Sequence, residues 1–417
     1  MIILWTVNLI PRDVAAALGV KSDVLGGWVE AMAARLKRIE GVRLAVACKS
    51  DTGLDFSVEV DGVRYCAIPY RKGTDESSLL AHCRTLLEGL RPDIVHIEGT
   101  EFPHAKAMLR AAQEKAIPAV ASMQGILNGQ YGYQCGLLPL DDMLLSFDPV
   151  AVFAALSLHF RKTRWYAPRM KPERELIESV SYVMGRTTWD RAHTYALNPN
   201  AKYYSCPRVL RPPFYAAQWD PSAMERHSLY VGNSYYALKG FHFLVKALPL
   251  LIREYPDIRV YVAGHPPFGD KRALVKKGYG AYLKQLIDRT GVAGHIVFTG
   301  TLTAEQVAER LSRVNAYVLT SVVENSPNTL GEAMRVGAPC ISSYAGGAPD
   351  MAKDGEEALF YRSDDPALLA WCVKRIFDDD ALAARLSANA RQRALVTHDA
   401  DNNARTLYGV YQDILQS

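Results

Sequence analysis

Two series of short apolar runs, each interleaved with helical periodicity and separated by a break, constrain the fold of this chain most. In the first series, residues 2–9 and 42–48 read as strands around a helix at 24–37 that carries Val29, Met32, Ala33 and Leu36 on one face. Strands at 94–98 and 119–123 follow, each after a helical stretch, and one at 182–184 leads into a capped helix near Thr187. The break at 210–222 (LRPPFYAAQWDPS) is rich in Pro and aromatics and reads as a linker. The second series restarts at 229–232 and continues with a helix at 240–255 and strands at 258–263, 296–299 and 316–319. Alternation of this kind predicts a parallel sheet in each half.

The densest chemistry lies at the end of the second series, where SVVENSPNTLGEAMRVGAPCISSYAGGAPD occupies 321–350. The apolar run AYVLT before it is a strand, and Ala333, Met334 and Val336 give a short helical face that Gly337 ends. Between them Ser326 can cap and Pro327 suits a first helical position. The amides of Asn328, Thr329 and Leu330 are then unpaired donors at a helix N-terminus, a place for phosphate. Glu324, at the strand end, can reach hydroxyls of a group attached to that phosphate, and Glu332 can accept from vicinal ribose hydroxyls. The competing reading is a surface carboxylate pair on an ordinary βα unit. Thirty residues of consistent context favour recognition of a phosphorylated sugar.

This segment resembles the nucleotide-sugar signature of retaining glycosyltransferases of family 4, E-G-x-P-N-x-x-x-E-A-M-x-x-G-x-P. The matching residues are Glu324-Asn325-Ser326-Pro327-Asn328, Glu332-Ala333-Met334, Gly337 and Pro339, followed by Ser342, Gly346 and Gly347. The resemblance implies an α/β fold of GT-B architecture: two doubly wound, Rossmann-like domains facing each other across a cleft. On that reading residues 1–210 bind the acceptor, 211–224 are the linker, and 225–397 bind the nucleotide sugar. Residues 398–417 form a C-terminal helix that can cross back to the N-terminal domain.

The rest of the implied donor site is the first βα loop of the second half, Gly232-Asn233 to Lys239-Gly240. The family usually has Arg and Lys here, both directed at the donor diphosphate. Lys239 fits; Asn233 brings no charge, so one cation is missing. A solvated lysine at a helix start is the competing reading. On the acceptor side, Gly26-Gly27 matches a family glycine loop, or is a simple turn before a helix. In Ser122-Met123-Gln124-Gly125 the family often has His-Gly; Gln124 can hydrogen-bond a hydroxyl but takes no proton at neutral pH. Gly185-Arg186-Thr187-Thr188-Trp189-Asp190 resembles a GRTxWD stretch of bacterial polysaccharide-assembly members. Arg186 there either binds an acceptor phosphate or pairs with Asp190.

The implied reaction is transfer of a sugar, with retention, from a nucleotide-diphosphate sugar to a hydroxyl of a saccharide or lipid-linked glycan. The departing phosphate takes the acceptor proton, and Lys239 with the helix amides stabilises the leaving group. Neither cofactor nor metal is expected: Asp141-Asp142 and Asp378-Asp379-Asp380 look like turn or cap carboxylates. An epimerase or hydrolase on the same fold, and a non-catalytic nucleotide-sugar binding protein, remain alternatives. A nicotinamide oxidoreductase is disfavoured because no GxGxxG follows the first strand.

Composition bounds the setting. A net charge of +4 over 417 residues gives no reason to expect a nucleic-acid partner. No apolar run is long enough to span a bilayer, and the MIILWTVNLIPRD start reads as a core strand rather than a signal peptide. Seven scattered cysteines without a CxxC pair suit reduced thiols and a cytoplasmic location. His159, Phe160, Arg161, Lys162, Arg164, Trp165, Tyr166, Arg169 and Lys171 mix bases with aromatics. They suit either a solvated helix face or a peripheral contact with the anionic inner face of a membrane.

Overall fold

In the computed structural model, residues 1–20, 27–51, 53–71, 73–138, 152, 156, 158–160, 162–268 and 276–417 are described. They divide into two compact units. Unit 1 comprises Met1–Gly129, Pro168–Arg211 and His398–Ser417; unit 2 comprises Gln130–Ala167 and Pro212–Thr397.

Unit 1 is built on β1 (Ile2–Val7), β2 (Arg43–Ser50), β3 (Ser57–Val60), β4 (Val63–Pro69), β5 (Ile94–Glu98), β6 (Ala119–Ser122), β7 (Tyr182–Gly185) and β8 (Lys202–Ser205). Their order is β3-β4-β2-β1-β5-β6-β7-β8. Every pairing is parallel except β3 with β4, a hairpin whose Val63↔Val60 register closes over Asp61-Gly62, both at positive φ. The central strands are buried on both faces and therefore read as continuous apolar runs. Chain order reverses between β1 and β5. In open α/β sheets that switch point, at the carboxyl ends of the strands, is where ligands bind.

Unit 2 has β9 (Glu225–Val231), β10 (Arg259–Val262), β11 (Ile296–Phe298), β12 (Val314–Leu319), β13 (Cys340–Ser343) and β14 (Leu359–Tyr361), all parallel, in the order β11-β10-β9-β12-β13-β14. One face packs Phe241, Leu244 and Leu248 with Val373 and Ile376; the other packs Leu311, Leu330, Met334 and Ala390. Its switch point lies between β9 and β12.

Several stretches differ from the sequence expectations. The hairpin β3–β4, the edge strand β8 and the strands β13 and β14 are additional elements. Residues 130–167 group with unit 2: His242 Nε2 lies 3.1 Å from the carbonyl oxygen of Gly136. The proline-rich break is no free linker beyond Arg211. Phe214 and Trp219 are buried in the core of unit 2, and Trp219 Nε1 donates to the Val314 carbonyl at 2.8 Å.

Candidate active site

In unit 2 the switch point brings the end of β9 and the end of β12 together. Gly232 follows β9, and a Cβ there would meet Thr329 Cγ2 at 3.1 Å, so a side chain would push against the helix Asn328–Val336 by a few tenths of an ångström. Asn233 makes a tight turn, its Oδ1 accepting from the Tyr235 amide at 2.8 Å. That use of the side chain differs from a phosphate-facing role. Lys239 closes a short 3-10 turn, and Gly240, at φ +64, starts the helix Phe241–Ile252. A Cβ on Gly240 would lie 1.9 Å from the Thr320 carbonyl oxygen, so this approach requires glycine as well.

Lys239 Nζ donates to Glu324 Oε1 at 2.5 Å, and Ser321 Oγ donates to the same oxygen at 2.7 Å. Both ion-pair side chains are partly exposed, Lys239 by 26% and Glu324 by 16%. The Glu324 carbonyl accepts from the Gly347 amide at 2.9 Å, and Gly346 (φ +53) passes so close that a Cβ would lie 2.0 Å from that carbonyl oxygen. The two glycines of the signature thus hold the Glu324 loop from below.

The helix start differs in register from the sequence expectation. Pro327 is the N-cap residue and Asn328 the first helical one; Ser326 does not cap but points its Oγ at Met351 Sδ, 3.7 Å away. The Leu330 amide is bonded to the Pro327 carbonyl at 3.0 Å, so it is not one of the available donors. Among the described residues, the amides of Asn328 and Thr329 have no hydrogen-bond partner, and no side chain caps the helix. Thr329 is steadied by the Tyr317 hydroxyl at 2.8 Å. Asn325 and Glu332 are both buried, Glu332 with 3% exposure. The fold therefore pairs a cation with a carboxylate just beyond the end of β12, ahead of a helix that opens on two unpartnered amides and carries Glu332, buried, within it. Such an arrangement can hold a diphosphate and take up charge developing on it.

In unit 1, Gln124 follows β6 and donates from Nε2 to Glu98 Oε2 at 3.4 Å. The Gly125 amide donates to Glu101 Oε1 at 2.9 Å, and Asn8 Nδ2 to Glu101 Oε2 at 3.2 Å, across the switch point. Burial raises the Glu101 pKa to about 7, and the neighbouring Glu173 adds to the rise. Glu173, fully buried, accepts from the Leu127 and Asn128 amides, Asn128 Nδ2 and Thr100 Oγ1. Two carboxyls thus pin the loop after β6. Gly27 opens the helix Gly27–Leu36, with Arg211 Cδ at 3.1 Å from where its Cβ would be; Gly26 lies outside the described residues. Arg186 donates from Nη2 to the Met123 carbonyl, while Asp190, which forms a capping box with Thr187, also accepts from the Arg186 backbone amide at 2.9 Å. The side-chain pairing of Arg186 with Asp190 is therefore not formed.

Asn8, Glu98, Glu101 and Glu173 had no signal in spacing or motif. Only their position at strand ends beside the switch point, or inside a helix for Glu173, sets them apart.

Two family models match the chain: "Glycosyl transferases group 1" over residues 214–393 and "Glycosyl transferase 4-like domain" over 26–202. An uncharacterized glycosyltransferase of Methanocaldococcus jannaschii is 26% identical over 188 residues, 45% of each chain. The chain spans less than half the length of the curated relatives it matches. Sucrose-phosphate synthase from Thermosynechococcus elongatus superposes with a TM-score of 0.76 at 16% identity, covering 100% of this chain and 99% of that one. The Anabaena protein HepE, solved with UDP-glucose, gives 0.68 at 14% identity over 99% of this chain and 100% of its own. At these identities the structural likeness shows a shared fold.

Proposed function

Because the chain belongs to the GT-B glycosyltransferases of the family 4 type, we propose that it moves a sugar from a nucleotide-diphosphate donor to a hydroxyl of a saccharide or lipid-linked glycan, with retention of configuration. The observation that carries this reading is the Lys239–Glu324 pair at the β9/β12 switch point, set beside the unpartnered amides of Asn328 and Thr329. A donor diphosphate arriving there exchanges places with Glu324 as the partner of Lys239. Glu324 is then released toward the hydroxyls of the sugar, and Glu332 serves the ribose. The departing phosphate takes the acceptor proton, so Gln124 needs no basicity. Lys239 and the two amides supply the positive charge, and the proposal assigns no step to a metal or cofactor.

The acceptor side is unit 1, around Gln124, Gly125 and Arg186. Among the described residues no helix is long and apolar enough to cross a membrane. Leu156 and Phe160 are exposed, with Arg164 lying 5.3 Å from the Phe160 ring, which suits peripheral contact with an anionic lipid surface. Sedimentation with anionic liposomes tests that contact, and a protein left in the supernatant at low salt ends it.

The donor class is tested by a thermal-shift panel of UDP, GDP and ADP with their common sugar conjugates, native chain against Glu332→Ala. A ligand far above its dissociation constant adds about 3 kcal/mol of stability. One nucleotide class should shift the native chain and lose its effect in the variant. No shift with any of them would overturn the reading. Product analysis without acceptor separates transfer from hydrolysis or epimerisation.

A further inference from the structure

Within unit 1 the C-terminal helix Ala400–Gln416 meets the surroundings of Glu98 at two places. The first is Tyr411, fully buried. Its phenol oxygen receives Trp5 Nε1–H at 2.9 Å and stands 2.5 Å from His96 Nδ1. An indole N–H can only donate, which leaves the phenol proton available to His96 Nδ1. Burial lowers the His96 pKa, and with Nδ1 accepting from Tyr411 the ring's proton is carried on Nε2. That N–H faces Ser122 Oγ at 2.7 Å and Glu98 Oε1 at 3.6 Å.

The second place is Asn403, whose Nδ2 donates to the backbone carbonyl of Arg208 at 3.0 Å. The Arg208 guanidinium lies 3.6 Å from the centre of the Trp28 ring, and its Nη2 is 3.6 Å from Glu98 Oε2. Glu98 thus has the His96 ring near one oxygen and the Arg208 guanidinium near the other, each at ion-pair rather than hydrogen-bond distance. Among the described residues Arg208 Nη2 has no hydrogen-bond partner; both residues touch the C-terminal helix. Glu98 Oε2 also accepts from Gln124 Nε2 at 3.4 Å. Only the NH2 end of an amide can donate to a carboxylate, so this contact favours one orientation of the Gln124 amide.

We propose that Glu98 is a positioning residue for Gln124 and that the C-terminal helix holds it in place through Tyr411–His96 on one side and Asn403–Arg208 on the other. A buried carboxylate with partners at 3.6 Å adds little to stability compared with an apolar pair of similar volume. What the arrangement does supply is a fixed orientation at the loop that follows β6. Loosening the C-terminal helix would then weaken the Glu98–Gln124 contact, without any residue of that helix touching substrate. The inference rests on the reading that Gln124 faces the acceptor.

The test reads Gln124 directly and needs no turnover. The side-chain amide resonance of Gln124, assigned by its loss in Gln124→Leu, should shift in Glu98→Gln and again in Tyr411→Phe. The imidazole 15N signals of His96 should report a proton on Nε2 in the native chain and a mixture of tautomers in Tyr411→Phe. Exposed Tyr195→Phe should change neither. Should Tyr411→Phe fail to fold, Ser122→Ala removes the acceptor of His96 without touching the helix, and the Gln124 signal should shift there too. A Gln124 resonance unmoved in the folded variants, or a native His96 protonated on Nδ1, overturns the proposal. Because no donor or acceptor is present, that failure would leave the thermal-shift test of glycosyl transfer untouched, and the reverse holds equally.

Discussion

Glu101 should make unit 1 lose stability as the pH rises through neutrality. Its pKa is raised from 4.5 to about 7, first by burial and then by the Glu173 carboxylate, with the bonds from Gly125 and Asn8 acting the other way. Between those two values the folded chain keeps a proton that the unfolded chain has released. The stability associated with that proton is fully present below pH 4.5, falls as the pH rises through the folded pKa, and is gone above it. At about 1.36 kcal/mol per pKa unit the window is worth about 3 kcal/mol as a ceiling. Glu101→Gln removes the titration but keeps the shape. Its Oε1 can still accept from the Gly125 amide. Asn8 Oδ1, buried without a hydrogen-bond partner, can receive the new amide N–H once the Asn8 amide turns over. The variant should therefore gain on the native chain between pH 5 and pH 8. For a unit of this size 3 kcal/mol corresponds to a melting difference of roughly 6–12 °C. Hydrogen exchange at β1 and β5 reports unit 1 specifically and is the second readout. Glu173 is also raised, mainly by burial, and contributes with the same sign, but it is present in both chains and cancels to first order. Parallel pH profiles for native and Glu101→Gln chains would refute the reasoning.

Lys239→Met should weaken nucleotide binding about 10–100-fold, the range expected on losing a charge-assisted hydrogen bond. Calorimetric affinities within twofold of native would count against Lys239 as the phosphate partner. Gly346→Ala puts a side chain where the Glu324 carbonyl stands, at a φ of +53. It should cost roughly 1–3 kcal/mol in urea unfolding and reduce turnover as well. Native-like stability and turnover would mean that the Gly346 turn does not position Glu324. Trp219→Ala should destabilise unit 2 by about 3–5 kcal/mol, since the indole is buried and hydrogen-bonded. A true linker residue would give almost no change in the melting curve.

Most of the scaffold was legible because each buried strand is an apolar run of its own, bounded by turn residues. The strand at 94–98 was read residue for residue, and the capped helix at Thr187 matches a capping box with Asp190. The hairpin was missed because β3 alternates polar and apolar residues over only Ser57–Val60, at an edge where one face meets water. The break at 210–222 misled for a different reason. Proline and aromatic density marks irregular backbone, but it does not say whether the aromatic side chains are packed, and Phe214 and Trp219 are.

The two halves of the site differ in legibility for a physical reason. In unit 2 the residues that meet the crevice are consecutive across one strand–turn–helix, so glycines, proline and carboxylates fall into a linear pattern. The register of the helix cap was still beyond the pattern, because Pro327 at the N-cap and Pro327 at the first helical position leave the same letters in the chain. In unit 1 the crevice is lined from the ends of β1, β5 and β6, and the residues that steady it come from helices far along the chain. Glu173 pins the Leu127 and Asn128 amides from 45 or 46 residues away, and Tyr411 meets His96 across 315. No local spacing records such a pair. A carboxylate at a strand end reads the same whether it faces water or, like Glu98, is held between a histidine and an arginine. What a sequence can carry here is the strand end itself; what the side chain does there is decided by which distant helix packs beneath it.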